Sequence, residues 1–261
     1  MTQSNSSARP VALVTGARRG IGRASCAALA ARGYDVLGCD IEEAGAAETG
    51  AAVAAAGGRF GFLVADLSDP GAIALLLDWA WAESGGIEAL VSNAGVGAMR
   101  RGDLLDLTLA SWDRAMDVNA RAAFLVAQGV ARRMVAADAP RRGMRGMAFV
   151  SSVNASMASP DRTEYSASKA AVAMVAKCFA LRLAEEGIPV YDIRPGVIRT
   201  DMTAGVAARY ETRIAEGLSP IRRWGEAEDV ATAIAGLITG VIPFSTGDAF
   251  HVDGGLHLHQ L

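Results

Sequence analysis

The chain has 261 residues, 51% of them hydrophobic, and a net charge of −3. An apolar fraction of that size excludes global disorder, and the slight acidity leaves no basic field for nucleic acid. Three cysteines without metal-ligand or redox spacing, Cys26, Cys39 and Cys178, are expected as reduced thiols of a cytoplasmic protein, and no apolar run reaches the ~18 residues of a membrane span.

Residues 1–8 are polar, lack the apolar stretch of a signal peptide and read as a disordered tail. No repeat or Pro/Ser-rich linker divides the remainder, so residues 9–261 are expected to form one domain. A strand over Val11–Val14 leads into a glycine-rich turn with Gly16, Gly20 and Gly22, then a helix over Ile21–Arg32. The second strand, Asp35–Cys39, ends at Asp40 and Ile41 and precedes a helix over Glu42–Ala56. Phe60–Val64 is followed by Asp66 and Leu67 and a helix over Pro70–Ser84, where Ser68 and Asp69 are cap candidates and proline suits the first turn. Ala89–Ser92 runs into Asn93, Ala94 and Gly95, with a long helix expected over Ser111–Ala137. The arginines at 132, 133, 141, 142 and 145 read as a solvated helix end and loop, since no aromatic residues interleave with them. Met147–Val150 precedes Ser152 and a helix over Thr163–Glu186. Pro189–Ile193 leads to Pro195, Gly196, Val197, Ile198 and Thr200. A helix over Glu226–Thr239 and a strand over Ala249–Val252 complete the pattern.

Strand and helix in alternation imply right-handed crossovers and a doubly wound α/β Rossmann fold. Its seven-stranded sheet is expected to be mostly parallel and flanked by helices on both faces, since the strands are continuous apolar runs. From Tyr165 to Ala184 the helix is apolar on nearly every face. One face is expected on the sheet and the other on a second copy of the chain, giving a homo-oligomer, a tetramer ahead of a dimer.

Two groups of residues carry chemistry. Gly16, Gly20 and Gly22 follow a strand and open a helix, where backbone N–H groups can approach a pyrophosphate. Asp40 ends the next strand, at the distance where a carboxylate accepts the ribose hydroxyls of a dinucleotide. Beside a 2′-phosphate that carboxylate would set like charges together, so NAD is the expected cofactor. Arg18 and Arg19 pull the other way, since arginine in this turn can hold such a phosphate. The second group is Ser152, Tyr165 and Lys169. Tyr165 and Lys169, four apart, share a helix face. A phenol beside an ammonium can take and return an alcohol proton, and a hydroxyl at the end of the fifth strand can hold the reacting oxygen. His257 and His259 lack further ligands, so no metal site is expected.

With these motifs in order from Pro10 to Leu256, the chain resembles the short-chain dehydrogenase/reductase family in its compact single-domain branch. The resemblance implies that Asp66 and Leu67 border the adenine, and that Asn93, Ala94 and Gly95 stabilise the sheet and line the cofactor cleft. It implies that Asn119 joins Ser152, Tyr165 and Lys169 as a catalytic tetrad. It also implies that Pro195, Gly196, Val197, Ile198 and Thr200 hold the nicotinamide, with Ile21 and Ile41 among the cofactor residues, and that Val252 to Gly255 close the fold.

Family substrates sit between the loops at 96–103, 153–162 and 199–220. In and beside them stand Arg100, Arg101, Asn154, Arg162, Glu164 and Arg199, a set suited to a polar small molecule, anionic ones included; Arg100, Asn154, Arg162 and Met202 are the substrate candidates. The family's 3-oxoacyl carrier-protein reductases usually use NADPH, so Asp40 departs from them. The expected activity is a secondary-alcohol dehydrogenase acting on a sugar, polyol or hydroxy acid. A 3-oxoacyl thioester reductase is the alternative, and a non-catalytic dinucleotide sensor the alternative of another class. A sugar-nucleotide epimerase would need a larger C-terminal lobe.

Overall fold

A computed structural model describes residues 9–137, 141–205 and 207–258. The expected tail over residues 1–8 lies outside the described residues, as does His259. Among the described residues, seven strands form one sheet in the order β3-β2-β1-β4-β5-β6-β7. They are β1 (Val11–Thr15), β2 (Asp35–Asp40), β3 (Phe60–Val64), β4 (Ala89–Ser92), β5 (Gly146–Val150), β6 (Val190–Pro195) and β7 (Ala249–Val252). Every neighbouring pair is parallel. The chain winds outward from β1 to β3, returns to place β4 on the other side of β1, and winds outward again. Between β1 and β4 successive connections leave toward opposite faces, which opens a crevice at the strands' carboxyl ends.

Alternate strand residues supply two cores. Leu13, Leu90, Met147 and Phe149 face α3 (Pro70–Ser84), α5 (Ala122–Ala136) and α6 (Thr163–Leu183). Ala12, Val14, Val91, Ala148, Val150 and Ile193 face α1 (Gly20–Ala31) and α9 (Ala227–Ile238). Both faces are therefore apolar, which is why the strands read as continuous runs. The cap expected before α3 is present: the Asp69 side chain accepts from Gly71 N at 2.8 Å, with Pro70 in the first turn.

Three elements depart from expectation. The helix expected over 42–56 is shorter, α2 (Ala46–Ala55), beginning after Gly45 at φ 95°. The long helix expected over 111–137 starts earlier and is divided: α4 (Leu109–Ala115) and α5 are joined by a π turn, Met116–Arg121. The segment after β6, read as loop, forms α7 (Asp201–Ala204) and α8 (Ala207–Ala215). On α6, Val172, Ala176, Ala180 and Leu183 pack inward, while Met174 and Leu181 stand 59% and 83% exposed. This helix is thus covered on one face only within the chain. Phe124 of α5, 40% exposed, packs beside Phe179 and extends the same apolar surface.

Candidate active site

A cleft of about 1030 Å³ opens at the carboxyl ends of β1, β4, β5 and β6. Its floor is backbone. Gly16 has φ 67°, and a Cβ there would come within 2.8 Å of Asn93 Nδ2. Gly22 lies behind the floor, where a Cβ would fall 1.9 Å from the Gly16 carbonyl oxygen. The turn can therefore close only without side chains, and no side chain caps the start of α1. First-turn N–H groups at that end suit a pyrophosphate. Thr15, not among the candidate residues, is a fastening point. Its Oγ1 accepts from Asn93 N and Ala94 N, both at 3.0 Å, while Asn93 Nδ2 donates to Thr15 O at 3.0 Å and Gly16 O at 3.1 Å. β1 and β4 are clipped together where the crevice begins.

The far end of this half is Asp40, whose carboxylate accepts from Ile41 N at 2.8 Å and Arg18 Nε at 3.2 Å. Arg18 also reaches Glu42 at 3.1 Å, and Arg19 pairs with Asp201 across the cleft at 2.8 Å. Both arginines are thus engaged with carboxylates. Ile21, Ile41, Asp66, Leu67, Ala94 and Gly95 line the walls with Gly20. Pro195, Gly196, Val197, Ile198 and Thr200 line the opposite side.

Ser152, Tyr165 and Lys169 line the middle of the same cleft. Lys169 Nζ donates to Val150 O at 2.9 Å and lies 5.8 Å from the Tyr165 ring centroid. Burial holds its ammonium below the usual lysine range, against the opposing influence of Tyr165 and Asp192. Asp192 is itself buried between Ser151 Oγ and Arg194, whose Nε lies at 2.7 Å. Asn119 does not line the cleft. It sits buried in the π turn, a feature that frequently marks functional sites. Its Nδ2 donates to Val96 O and to Ser168 Oγ, and its Oδ1 accepts from Val96 N at 2.7 Å. A Cβ on Gly95 would lie 3.2 Å from Asn119 Oδ1 and 3.3 Å from Lys169 Nζ, so bare backbone lets the two polar groups approach from either side.

In the substrate half, Asn154, Arg162 and Met202 line the cleft. Arg100 does not: it is exposed, and the cleft is lined by Arg101 instead. Arg199 turns away to Trp224, 4.9 Å from its ring centroid, and to Glu226. Glu164 is buried and accepts from Ser111 Oγ at 2.6 Å. Arg114, Arg209 and Arg213, none singled out from the sequence, join the lining. Arg209 and Arg213 belong to α8, whose spacing was the available signal: Tyr210 and Ile214, four apart, turn inward.

The family described as "Enoyl-(Acyl carrier protein) reductase" matches over residues 16–257. A cis-4-hydroxycyclohexanecarboxylate dehydrogenase from Sinomonas cyclohexanicum is 36% identical, the match covering 95% of this chain and 96% of that one. A 3-oxoacyl-[acyl-carrier-protein] reductase from Escherichia coli (strain K12) is 33% identical, with 95% and 97% covered. Among solved structures, a 3-oxoacyl-[acyl-carrier protein] reductase from Brucella melitensis in complex with NAD is 45% identical with a TM-score of 0.94, covering 97% of this chain and 99% of that one.

Proposed function

The chain belongs to the short-chain dehydrogenase/reductase family, and on that premise we propose that it interconverts a secondary alcohol and a ketone with NAD(H), on a polar substrate such as a sugar, polyol or hydroxy acid. One observation carries the reading: Ser152, Tyr165 and Lys169 share a single cleft with the glycine turn and Asp40. The side-chain-free floor and uncapped helix end fit a dinucleotide, and the Asp40 carboxylate fits ribose hydroxyls. When bound, the nicotinamide supplies or accepts hydride at the reacting carbon.

The chain's own residues handle the oxygen and its proton. Tyr165 Oη takes the proton from the alcohol and returns it in the reverse direction. Lys169, buried beside the ring, favours the phenolate by its charge, and Ser152 Oγ donates to the substrate oxygen as charge develops. Asn119, held by Val96 and Ser168, shapes the path by which a water relays protons between Lys169 and solvent.

For NAD over NADP the support is Asp40 and the NAD-bound Brucella relative, and Arg18 and Arg19 already have protein carboxylates as partners in Asp40, Glu42 and Asp201. The Sinomonas relative's named substrate is a hydroxy acid. A second reading, reduction of a 3-oxoacyl thioester, is favoured by the names of the Escherichia and Brucella relatives. A panel of polyols, aldoses, hydroxy acids and 3-hydroxyacyl thioesters, followed by NADH and NADPH absorbance, separates them. NADH formation with a polyol, aldose or hydroxy acid is expected. Turnover restricted to thioesters establishes the second reading, and tight NAD binding without any turnover establishes a non-catalytic sensor.

We further infer a homo-oligomer, a tetramer ahead of a dimer, from the exposed Met174, Leu181 and Phe124 on adjoining helices. Sedimentation velocity is expected to give a multiple of the chain mass, reduced by Leu181→Glu. A cytoplasmic setting suits the cysteines, which are free. No helix among the described residues is long and apolar enough to cross a membrane.

A further inference from the structure

We propose that the alcohol taken by this site carries a carboxylate, and that Arg162 receives it; this rests on the dehydrogenase reading above. Arg162 ends the short turn Pro160–Arg162 that enters α6, three residues before Tyr165. Its guanidinium carbon lies 5.0 Å from the Tyr165 ring centroid, and the residue lines the cleft. One Nη donates to Asn154 Oδ1 at 2.7 Å, while Nε is buried with no hydrogen-bond partner. A buried guanidinium N–H without an acceptor raises the cost of holding this cation in place, a cost that an anion on the cleft side of the guanidinium would offset. Among the described residues, no carboxylate pairs with Arg162.

Asn154 is placed to aim this cation. Its Nδ2 donates to Met157 O at 3.1 Å and its backbone N–H to Ser152 Oγ at 3.1 Å. The residue holding Arg162 is thereby tied to the hydroxyl proposed to hold the reacting oxygen. An anion on Arg162 and a carbinol at Tyr165 fall within the span of a short carbon skeleton. Asn154 itself, first read as a substrate ligand, is a positioning residue on this account, because its amide is already committed.

The charges nearby point to a monoanion. Asp161 also lines the cleft, but its carboxylate is shared between Arg101 at 3.5 Å and Arg209 at 3.8 Å. Asp117 is paired with Arg121 at 2.6 Å. Arg162 is thus the guanidinium beside the phenol that no carboxylate among the described residues neutralises. Guanidinium offers a planar fork of donors and no acceptor, which matches a carboxylate and serves a sugar hydroxyl poorly. Among the sugars, polyols and hydroxy acids proposed above, this selects the hydroxy acids.

The test uses the full-length protein with NAD+ and pairs of hydroxycarboxylates, straight-chain and alicyclic, each against its own methyl ester. The wild type is expected to favour acid over ester by about 30-fold or more in kcat/KM, the range for a buried charge pair. Arg162→Met should bring that ratio near one, mostly through KM, and Arg162→Lys should restore part of it. Circular dichroism and NADH binding by fluorescence establish that each variant is folded, and the wild-type ratio stands whether or not they are. Equal turnover of acid and ester by the wild type, or a ratio that survives in folded Arg162→Met, overturns the carboxylate assignment and leaves the dehydrogenase reading intact. Turnover of polyols alone does the same, while turnover of thioesters alone overturns the carboxylate assignment in favour of the 3-oxoacyl thioester reading. Absence of turnover with every alcohol and either cofactor overturns both.

Discussion

The two halves of the cleft are made of different material. The dinucleotide half is backbone: Gly16 and Gly20 bring main chain to the surface, Gly22 lets the turn close behind them, and the Thr15–Asn93 clip fixes where that surface lies. The substrate half is long side chain, with Arg101, Arg162, Arg209 and Arg213 projecting from turns and short helices. A backbone cradle has no graded alternatives, because an added methyl either fits or displaces main chain. A rim of arginines can change one residue at a time, and each change alters which molecule is preferred rather than whether the site exists. This division lets one dinucleotide site serve many substrates.

The comparison can be broken most severely at its midpoint. Tyr165→Phe removes the proton-bearing oxygen common to both halves, and kcat is expected to fall about 10³-fold while NADH binding, read by fluorescence, is retained. Full turnover in that variant would remove the basis of the mechanism. Gly22→Ala tests the claim of no graded alternatives. Its methyl collides with the Gly16 carbonyl, so NAD affinity and melting temperature should fall together, by about 1–3 kcal/mol in stability. A variant that melts normally and binds NAD tightly would mean the turn has slack. Asp40→Ala sharpens the comparison, since here a side chain acts inside the backbone half. The NAD/NADP ratio of kcat/KM is expected to drop about tenfold, and Arg18, released from Asp40, becomes available to a 2′-phosphate. An unchanged ratio would shift the discrimination elsewhere.

The smallest effect lies outside both halves. His251 on β7 stacks on His257 at 3.8 Å between centroids, near Asp253, Arg194 and Asp192. Burial, with help from the His257 charge, holds its pKa below the ordinary value of about 6.5. The unfolded chain then binds more protons in that window, so this contribution is complete above the ordinary value and is lost as pH falls through the folded one. Melting temperature should therefore decline on acidification from neutrality, and less steeply in His251→Gln. Equal slopes would assign the decline to other groups.

The same division governs what could be read from the amino acids. Asp69 and Pro70, Tyr165 and Lys169, and the glycine turn are local patterns whose meaning survives any tertiary context, and they lie where spacing placed them. Arg100 and Arg101 are chemically identical neighbours on an irregular loop; only packing decides which one lines the cleft. Arg199 was drawn off by Trp224, a partner 25 residues away that no local signal connects to it. The exposed face of α6 and the buried one carry the same apolar residue types, so composition alone does not say which of them meets the sheet. The π turn at Asn119 was invisible for a related reason, since its residues, Met116 to Arg121, include no Gly or Pro to mark an interruption.

That turn has a consequence for how the gene can tolerate change in length. Each residue of an α-helix advances the helix by ~100°, and the wider turn accommodates an extra residue between two segments whose inner faces both meet the core. Ser111 and Ala115 before it and Val126, Val130 and Met134 after it are all buried. Deleting one residue from 116–121 would restore a regular helix and leave these two stripes in phase, because the wide turn takes up the extra residue without rotating its flanks. Asn119 would be what leaves its place, parting from Ser168 and Val96. The extra residue therefore serves the position of one side chain rather than the packing of the helix that carries it.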